Sequence, residues 1–283
     1  MHVDAYPLPR QDTILQSLGG GVIFSSVDMV KSFFQQPIAP EDRWKTAFVT
    51  QHRGHEQMTR ASMGLASSPS FFQHRMESLF GPYLWKFVLV YVDDTIIFSR
   101  SPEQHLEDLS MVLRLLQQSG VTLSLSKCYF AQPSLQALGH YVSRLGLSTV
   151  LEKTEAIRAL KFPETLQGLE NGLGFFNYYR MFVEGYAAIA KPLNDCKTRG
   201  FRGAPTKGHP REQYAATTRL TKHNPHTKLP LLSDAEMAGC KEAWETLKDQ
   251  LCDAPTLAFP DFDRPFILYT DGSKERGFGA ALH

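Results

Sequence analysis

The feature that most constrains this chain is a pair of adjacent aspartates, Asp93 and Asp94. They sit between two largely apolar runs, Phe87-Val88-Leu89-Val90-Tyr91-Val92 and Thr95-Ile96-Ile97-Phe98. Two β-rich runs separated by two residues predict a hairpin. Because the runs are almost wholly apolar, the acidic tip emerges from a buried sheet. Adjacent like charges repel, and Asn-Gly would close such a turn at lower cost. A divalent cation would offset that repulsion. Mg²⁺ takes oxygen ligands, and two-metal sites use carboxylates from different chain segments to hold ions around a reacting phosphate. Asp28 ends another β-rich run, Val22–Val27, and is the third candidate. A solvated turn at Asp93-Asp94 and a strand-end cap at Asp28 fit the same spacing.

The rest of the chain supplies a mixed set of elements. Residues 6–21 read as a loop, a short helix and a turn, and residues 44–62 as an antiparallel pair around Gly54. Pro69 opens a helix that runs to about Phe80, with Phe71, Phe72, Met76, Leu79 and Phe80 at helical spacing. Residues 102–119 form an amphipathic helix between Pro102 and Gly120, with Leu106, Leu109, Val112, Leu113 and Leu116 on one face. Strand-like pieces follow at 121–125 and 135–143, then helices at 152–161 and 164–182. From Cys196 to Pro230 there are eight Lys/Arg and one acid, Glu212, with no apolar period, which predicts an exposed basic linker. A helix over 234–251 and a strand–turn–strand over 265–282 complete the chain.

Composition narrows the class. Thirty Lys/Arg against 29 Asp/Glu give a net charge of +1, which by itself speaks against a chain dominated by nucleic-acid or membrane electrostatics. The average conceals a split, because the basic segment carries an excess of seven positive charges and the remainder is acidic. Cys128, Cys196, Cys240 and Cys252 form no CxxC pair, so neither a disulfide framework nor a zinc ribbon is expected, and an intracellular location in cytoplasm or nucleus is the default. No apolar run is long enough to span a bilayer, the N-terminus carries no signal-peptide pattern, and no membrane partner is expected.

Several segments together carry a family resemblance. Tyr91-Val92-Asp93-Asp94 resembles the YxDD hairpin of reverse transcriptases. Phe24-Ser25-Ser26-Val27-Asp28-Met29 resembles the FSxLDL segment of Ty3/gypsy-type long-terminal-repeat retrotransposons, and Lys45-Thr46-Ala47-Phe48 matches their KTAF. Met63-Gly64-Leu65-Ala66-Ser67-Ser68-Pro69-Ser70-Phe71-Phe72-Gln73 resembles FGLxNAPxxFQ. Leu125-Ser126-Lys127-Cys128-Tyr129-Phe130 resembles LNxxKCxF, and Leu138-Gly139-His140 resembles FLGH. Order and spacing agree, and the resemblance covers about residues 6–195 and 233–283.

The resemblance implies an α+β fold: a right-hand polymerase palm with partial fingers (1–149), a helical thumb (150–196), the basic flexible linker (197–232), and a connection with a truncated ribonuclease-H-like N-terminal hairpin (233–283). It implies RNA-directed DNA polymerisation, with deoxynucleoside triphosphates and a primed RNA or DNA template. Asp28, Asp93 and Asp94 would bind two Mg²⁺ ions, with Mn²⁺ as an alternative. Phe33 would stand as an aromatic gate against a ribonucleotide 2′-hydroxyl, with a core aromatic as its other reading. Met63 and Gly64 would lie near the incoming nucleotide, and Lys127 near the triphosphate. Leu138, Gly139 and His140 would form the primer grip, although a buried structural histidine explains His140 equally well.

Two departures from the family pattern shape the expected activity. Asp271 matches the first metal-binding aspartate of the ribonuclease H domain, but the later acidic ligands do not follow it, so no ribonuclease H activity is expected. Few residues precede Asp28, and the upstream fingers segment of the family is not matched, so impaired polymerisation is expected. Met63 stands where the family has Phe or Gln, and Ala61-Ser62 replaces the usual Met-Pro. The alternative reading is a catalytically inactive, nucleic-acid-binding remnant of a retrotransposon polyprotein. A nucleotidyl cyclase also sets acids on a hairpin, but the thumb and primer-grip segments argue against it.

Overall fold

The structure, a computed structural model, describes residues 6–220, 231–260, 265, 267–273 and 277–282. The chain divides into two compact units, Met1–Leu147 with Ala258–His283, and Ser148–Leu257. The first unit contains α1 (Gln11–Ser17), β1 (Ile23–Asp28), β2 (Phe48–Thr50), β3 (Gly54–Glu56), α2 (Ser68–Phe80), β4 (Val88–Tyr91), β5 (Asp94–Ser99), α3 (Pro102–Gln118) and β6 (Tyr129–Gln132). It continues through β7 (Ser134–Ala137), β8 (His140–Ser143) and β9 (Gly146–Ser148). The second holds α4 (Leu151–Arg158), α5 (Leu166–Tyr178), α6 (Tyr186–Ile189), α7 (Lys191–Gly200), α8 (His209–Thr217) and α9 (Asp234–Cys252). Near the C-terminus β10 (Leu268–Ser273) pairs antiparallel with β11 (Gly277–Leu282).

The first unit is built on a four-stranded sheet of order β4-β5-β1-β6, with β1 antiparallel to both its neighbours. Val88 and Val90 of β4, Ile97 of β5 and Val27 of β1 pack against Phe72, Met76 and Phe80 of α2 and Val112 and Leu116 of α3. Each such fully buried large side chain contributes about 1.5–3 kcal/mol from loss of water contact. Pro69 fits the first turn of α2, where a missing N–H costs nothing. Ser101 caps α3 by accepting from the Gln104 amide at 3.2 Å.

The buried face of α3 differs from the expected one. Leu106 is 68% exposed, and His105 and Asp108 are buried in its stead. Polar partners on the sheet draw the helix round. Ser25 Oγ of β1 lies 2.7 Å from His105 Nε2, Ser99 Oγ of β5 lies 3.0 Å from His105 Nδ1, and Ser99 Oγ donates to Asp108 Oδ2 at 2.6 Å. Residues 121–125 do not form a strand either. They run beside the end of β1 with a single bridge, Met29 to Leu123, before a 3₁₀ turn over Leu125–Lys127.

In the helical unit, α5 buries Leu166, Leu169, Leu173 and Phe176. Trp244 of α9 meets Phe176 edge-on at 4.9 Å between centroids. Gly172 permits this approach, because a Cβ there would lie 2.2 Å from the Trp244 ring. The described part of 197–232, expected as an exposed, flexible basic linker, contains the end of α7 and all of α8 and buries Gly200, Ala215, Thr218, Leu220 and Leu232. Its arginines reach acids elsewhere in the unit: Arg199 to Glu236 at 2.9 Å, Arg211 to Glu170 at 2.7 Å and Arg219 to Glu164 at 3.1 Å. Residues 221–230 lie outside the described residues. Among the described residues no helix is long and apolar enough to cross a membrane.

Candidate active site on the acidic hairpin

The β4–β5 hairpin pairs Tyr91 with Asp94, so Val92 and Asp93 form its two-residue turn. Val92 has φ = 50°, in the left-handed region. For a β-branched residue this conformation costs on the order of 1–3 kcal/mol. The turn is held from beneath by Gln73 of α2, which is fully buried. Gln73 Oε1 accepts from the Val92 amide at 2.6 Å, and Gln73 Nε2 donates to the Val90 carbonyl at 2.9 Å.

Asp28, the last residue of β1, is the register partner of Asp94, the first of β5. Directly opposed residues of an antiparallel pair share a face, so their side chains leave the sheet on the same side. Asp94 is exposed as a residue, yet its carboxyl has enough protein around it that lost hydration pushes its pKa up. The charges of Asp93 and Asp28 add to that effect. The backbone of Asp28 is bracketed by the loop before β6: the Ser124 amide donates to its carbonyl at 2.9 Å, and its own amide points at Cys128 Sγ at 3.4 Å. Asp93 Oδ1 accepts from Ser32 Oγ at 2.5 Å, and Ser32 is itself buried. Among the described residues no three His, Cys, Asp or Glu side chains are gathered into a ready coordination shell. The donors are all oxygens and their charges act on one another, which suits a hard divalent cation in chemistry although the shell is not drawn together.

Lys127 Nζ stands 3.9 Å from Asp28 Oδ1 and is exposed. Phe33 is half-buried and meets Phe72 edge-on at 6.0 Å. Leu138 (φ = 46°) and Gly139 (φ = 74°) form the tight β7–β8 turn. Leu138 and Gly139 line a cavity of about 570 Å³ together with Asp94, Tyr129 and Tyr141. Leu138 and His140 are buried, and His140 Nδ1 lies 2.9 Å from the Leu138 carbonyl. Met63 is 68% exposed, and Gly64 takes φ = 91° in the loop leading to α2, a conformation glycine adopts without strain. Asp271 falls on β10 opposite Gly279, in a hairpin separate from the four-stranded sheet.

Sequence reasoning missed Ser32 and Gln73. For Gln73 a signal was present: it is the polar residue among Phe72, Met76 and Phe80, on the face that α2 buries. Ser32 has no such signal, because its partner is 61 residues away.

Comparison with known proteins bears on the fold and the family. The chain superposes over its full length on a foamy viral protease-reverse transcriptase solved in complex with RNA/DNA hybrid, with a TM-score of 0.75, 22% identity and 36% of that chain covered. The same protein in complex with double-stranded DNA gives a TM-score of 0.77 with 52% of that chain covered. The mixed α/β fold is therefore of the polymerase class. A family model described as reverse transcriptase (RNA-dependent DNA polymerase) matches residues 1–142, and one described as an RNase H-like domain found in reverse transcriptase matches residues 237–283. The chain belongs to the reverse transcriptase family.

The Pol polyprotein of transposon 297 from Drosophila melanogaster is 34% identical over 279 residues, covering 99% of this chain and 23% of that protein. That of transposon gypsy, from the same species, is 31% identical over 280 residues, covering 99% and 25%. The enzymatic polyprotein of Cauliflower mosaic virus (strain Strasbourg) is 35% identical over 193 residues, covering 67% and 28%. The chain thus spans about a quarter of the length of these relatives, and its similarity to the Drosophila Pol polyproteins extends over nearly all of its own length.

Proposed function

We propose that this chain carries the polymerase site of a retrotransposon reverse transcriptase, joining deoxynucleotides to a primer 3′-hydroxyl on an RNA or DNA template. The observation that supports it most is the pairing of Asp28 with Asp94 beside Asp93 at the tip of a buried sheet. In this reading the four-stranded unit is the palm with partial fingers, and the helical unit belongs to the thumb and connection. Asp28, Asp93 and Asp94 would hold two Mg²⁺ ions, which would supply positive charge at the primer hydroxyl and at the departing pyrophosphate.

The remaining residues position substrate. Gly64, with no side chain and a left-handed backbone, allows close approach of the nucleotide, with Met63 beside it. Phe33, backed by Phe72, limits space at the sugar 2′ position. Lys127 lies near enough to the acids to meet a triphosphate oxygen. The Leu138-Gly139-His140 turn, whose cavity Asp94 also lines, supports the primer end.

The test is Mg²⁺-dependent extension of a DNA primer on an RNA template, with Asp93→Asn as the control. Extension by the wild-type chain that the variant loses is the expected result. Equal signals from the two would refute the polymerase reading and leave a nucleic-acid-binding domain without this chemistry.

A further inference from the structure

We propose that Cys196 and Cys240 form a redox-active pair, which a hydroperoxide converts into a disulfide that fastens α7 to α9 and that a thiol reductant reopens. The inference concerns the helical unit alone and stands apart from the polymerase reading.

The packing of two helices carries it. Cys196 lies on the buried stripe of α7 with Leu193 and Gly200, and Cys240 opens the buried stripe of α9 that continues through Ala243, Trp244 and Leu247. Both thiols are free and buried, and the two helices pack on each other. Cys240 Sγ donates to the Pro192 carbonyl at 3.5 Å, and that carbonyl lies one helical turn before Cys196 on α7. The Cys240 sulfur therefore rests against the turn of backbone that ends at Cys196, and the two thiols hydrogen-bond each other. Packed helices run about 8–10 Å apart, with their Cα atoms about 2.3 Å off each axis. Small residues facing across such a contact bring their Cα atoms into the span of about 4.4–6.8 Å that a disulfide needs.

The other two cysteines stand elsewhere. Cys252 lies about 18 Å further along α9 at about 1.5 Å per residue, and its sulfur faces the Thr154 carbonyl at 3.6 Å. Cys128 belongs to the sheet unit, where its sulfur donates to the Ser124 carbonyl at 3.2 Å. A reduced pair is the resting state inside a cell, and disulfides formed there are mostly transient and redox-sensing.

The hydrogen bond from Cys196 holds the Cys240 thiol below its ordinary pKa, against the opposing effect of burial, so Cys240 is the sulfur that ionises first. Its thiolate attacks one oxygen of hydrogen peroxide. The O–O bond breaks, hydroxide leaves, and Cys240 becomes a sulfenic acid. The Cys196 sulfur then attacks the Cys240 sulfur; the S–S bond forms, the S–O bond breaks, and a second hydroxide leaves. The two thiol protons turn both hydroxides into water, so the sulfurs lose two electrons and the peroxide gains two. Because both sulfurs are buried, the oxidant reaches them during local opening of the helices. The new bond closes a loop over residues 197–239 and so pins both ends of the basic segment that contains α8.

The experiment treats the folded full chain with hydrogen peroxide, blocks remaining thiols and digests with trypsin without reduction. The expected product is the peptide Met181–Lys197 joined to Leu229–Lys241, two hydrogens lighter than the separate peptides and parted by dithiothreitol. The oxidised chain should melt at least about 5 °C above the reduced one. Cys240→Ala should abolish both effects, and Cys128→Ala and Cys252→Ala should retain both. If Cys240→Ala does not fold, the wild-type peptide map decides the linkage by itself. Four unreacted thiols, sulfinic or sulfonic acid in place of a link, or a link from either residue to Cys128 or Cys252 overturns the proposal. So does a link that forms only in denaturant, and a link that leaves Tm unchanged refutes the fastening of α7 to α9.

Discussion

Replacing His105 by Phe should destabilise the sheet unit by about 2–4 kcal/mol at pH 7.5, and by less at pH 5.5. The magnitude follows from the proton inventory of the buried network. Ser99 Oγ gives its one hydrogen to Asp108 at 2.6 Å, so at its contact with His105 Nδ1 it must accept. Burial favours the neutral imidazole, so with its hydrogen on Nδ1 the ring accepts at Nε2, and Ser25 Oγ, which accepts from the Ala131 amide at 2.9 Å, donates to it at 2.7 Å. These bonds fit a neutral imidazole with its hydrogen on Nδ1. Phe keeps the ring volume but leaves the Ser25 hydroxyl hydrogen without an acceptor, at about 1–3 kcal/mol, and removes the bond to Ser99, worth about 1 kcal/mol.

The pH dependence has a definite sign. Burial lowers the His105 pKa below its ordinary 6.5, against a smaller opposing pull from Asp108. The unfolded chain therefore binds more protons in the window below 6.5, and the network's contribution, complete above that value, is lost as pH falls through the folded pKa. Urea unfolding at the two pH values reads both quantities. A shift of 2–4 kcal/mol corresponds to a midpoint change of roughly 1–2 M. A variant within about 0.5 kcal/mol of wild type at pH 7.5 would refute the inventory, and an equal difference at both pH values would refute the neutral imidazole.

Two further outcomes test other parts of the molecule. Gly172→Ala drives a methyl into Trp244 and should cost the helical unit about 1–3 kcal/mol; thermal unfolding that matches wild type would show that the Trp244 ring can move aside. Lys127→Met should leave stability within about 1 kcal/mol, because its pairing with Asp28 at 3.9 Å is solvent-exposed. Under the polymerase reading it should still slow primer extension, and an unaltered extension rate would remove Lys127 from the site.

The acidic hairpin was legible because its flanking strands are continuously apolar, a pattern that few structures other than a buried sheet accommodate. Asp28 stood out as the charged end of a β-rich run, although Ser25 and Ser26 interrupt that run's apolar pattern. The face of α3 was misjudged because periodicity weighs Leu106 above His105, whereas Ser25 and Ser99, distant in sequence, reward burial of the histidine. The helix α8 left no signal in the segment after Cys196 because the buried residues there, Gly200, Ala215, Thr218, Leu220 and Leu232, are small or isolated and make no stripe. The segment's tertiary contacts include ion pairs across 37, 41 and 55 residues, which no local window contains. At the site, the residues that would do chemistry were visible as charges out of place, while those that hold them, Gln73 and Ser32, became visible only with their partners.

Those ion pairs also alter what the basic segment offers a polyanion. Arg199, Arg211 and Arg219 each already face a glutamate. A phosphate that takes one of them displaces a carboxylate instead of filling an empty place, and leaves that carboxylate beside it. Binding there is an exchange of anions, so the segment's count of cationic side chains overstates the counterions it can release from a nucleic acid.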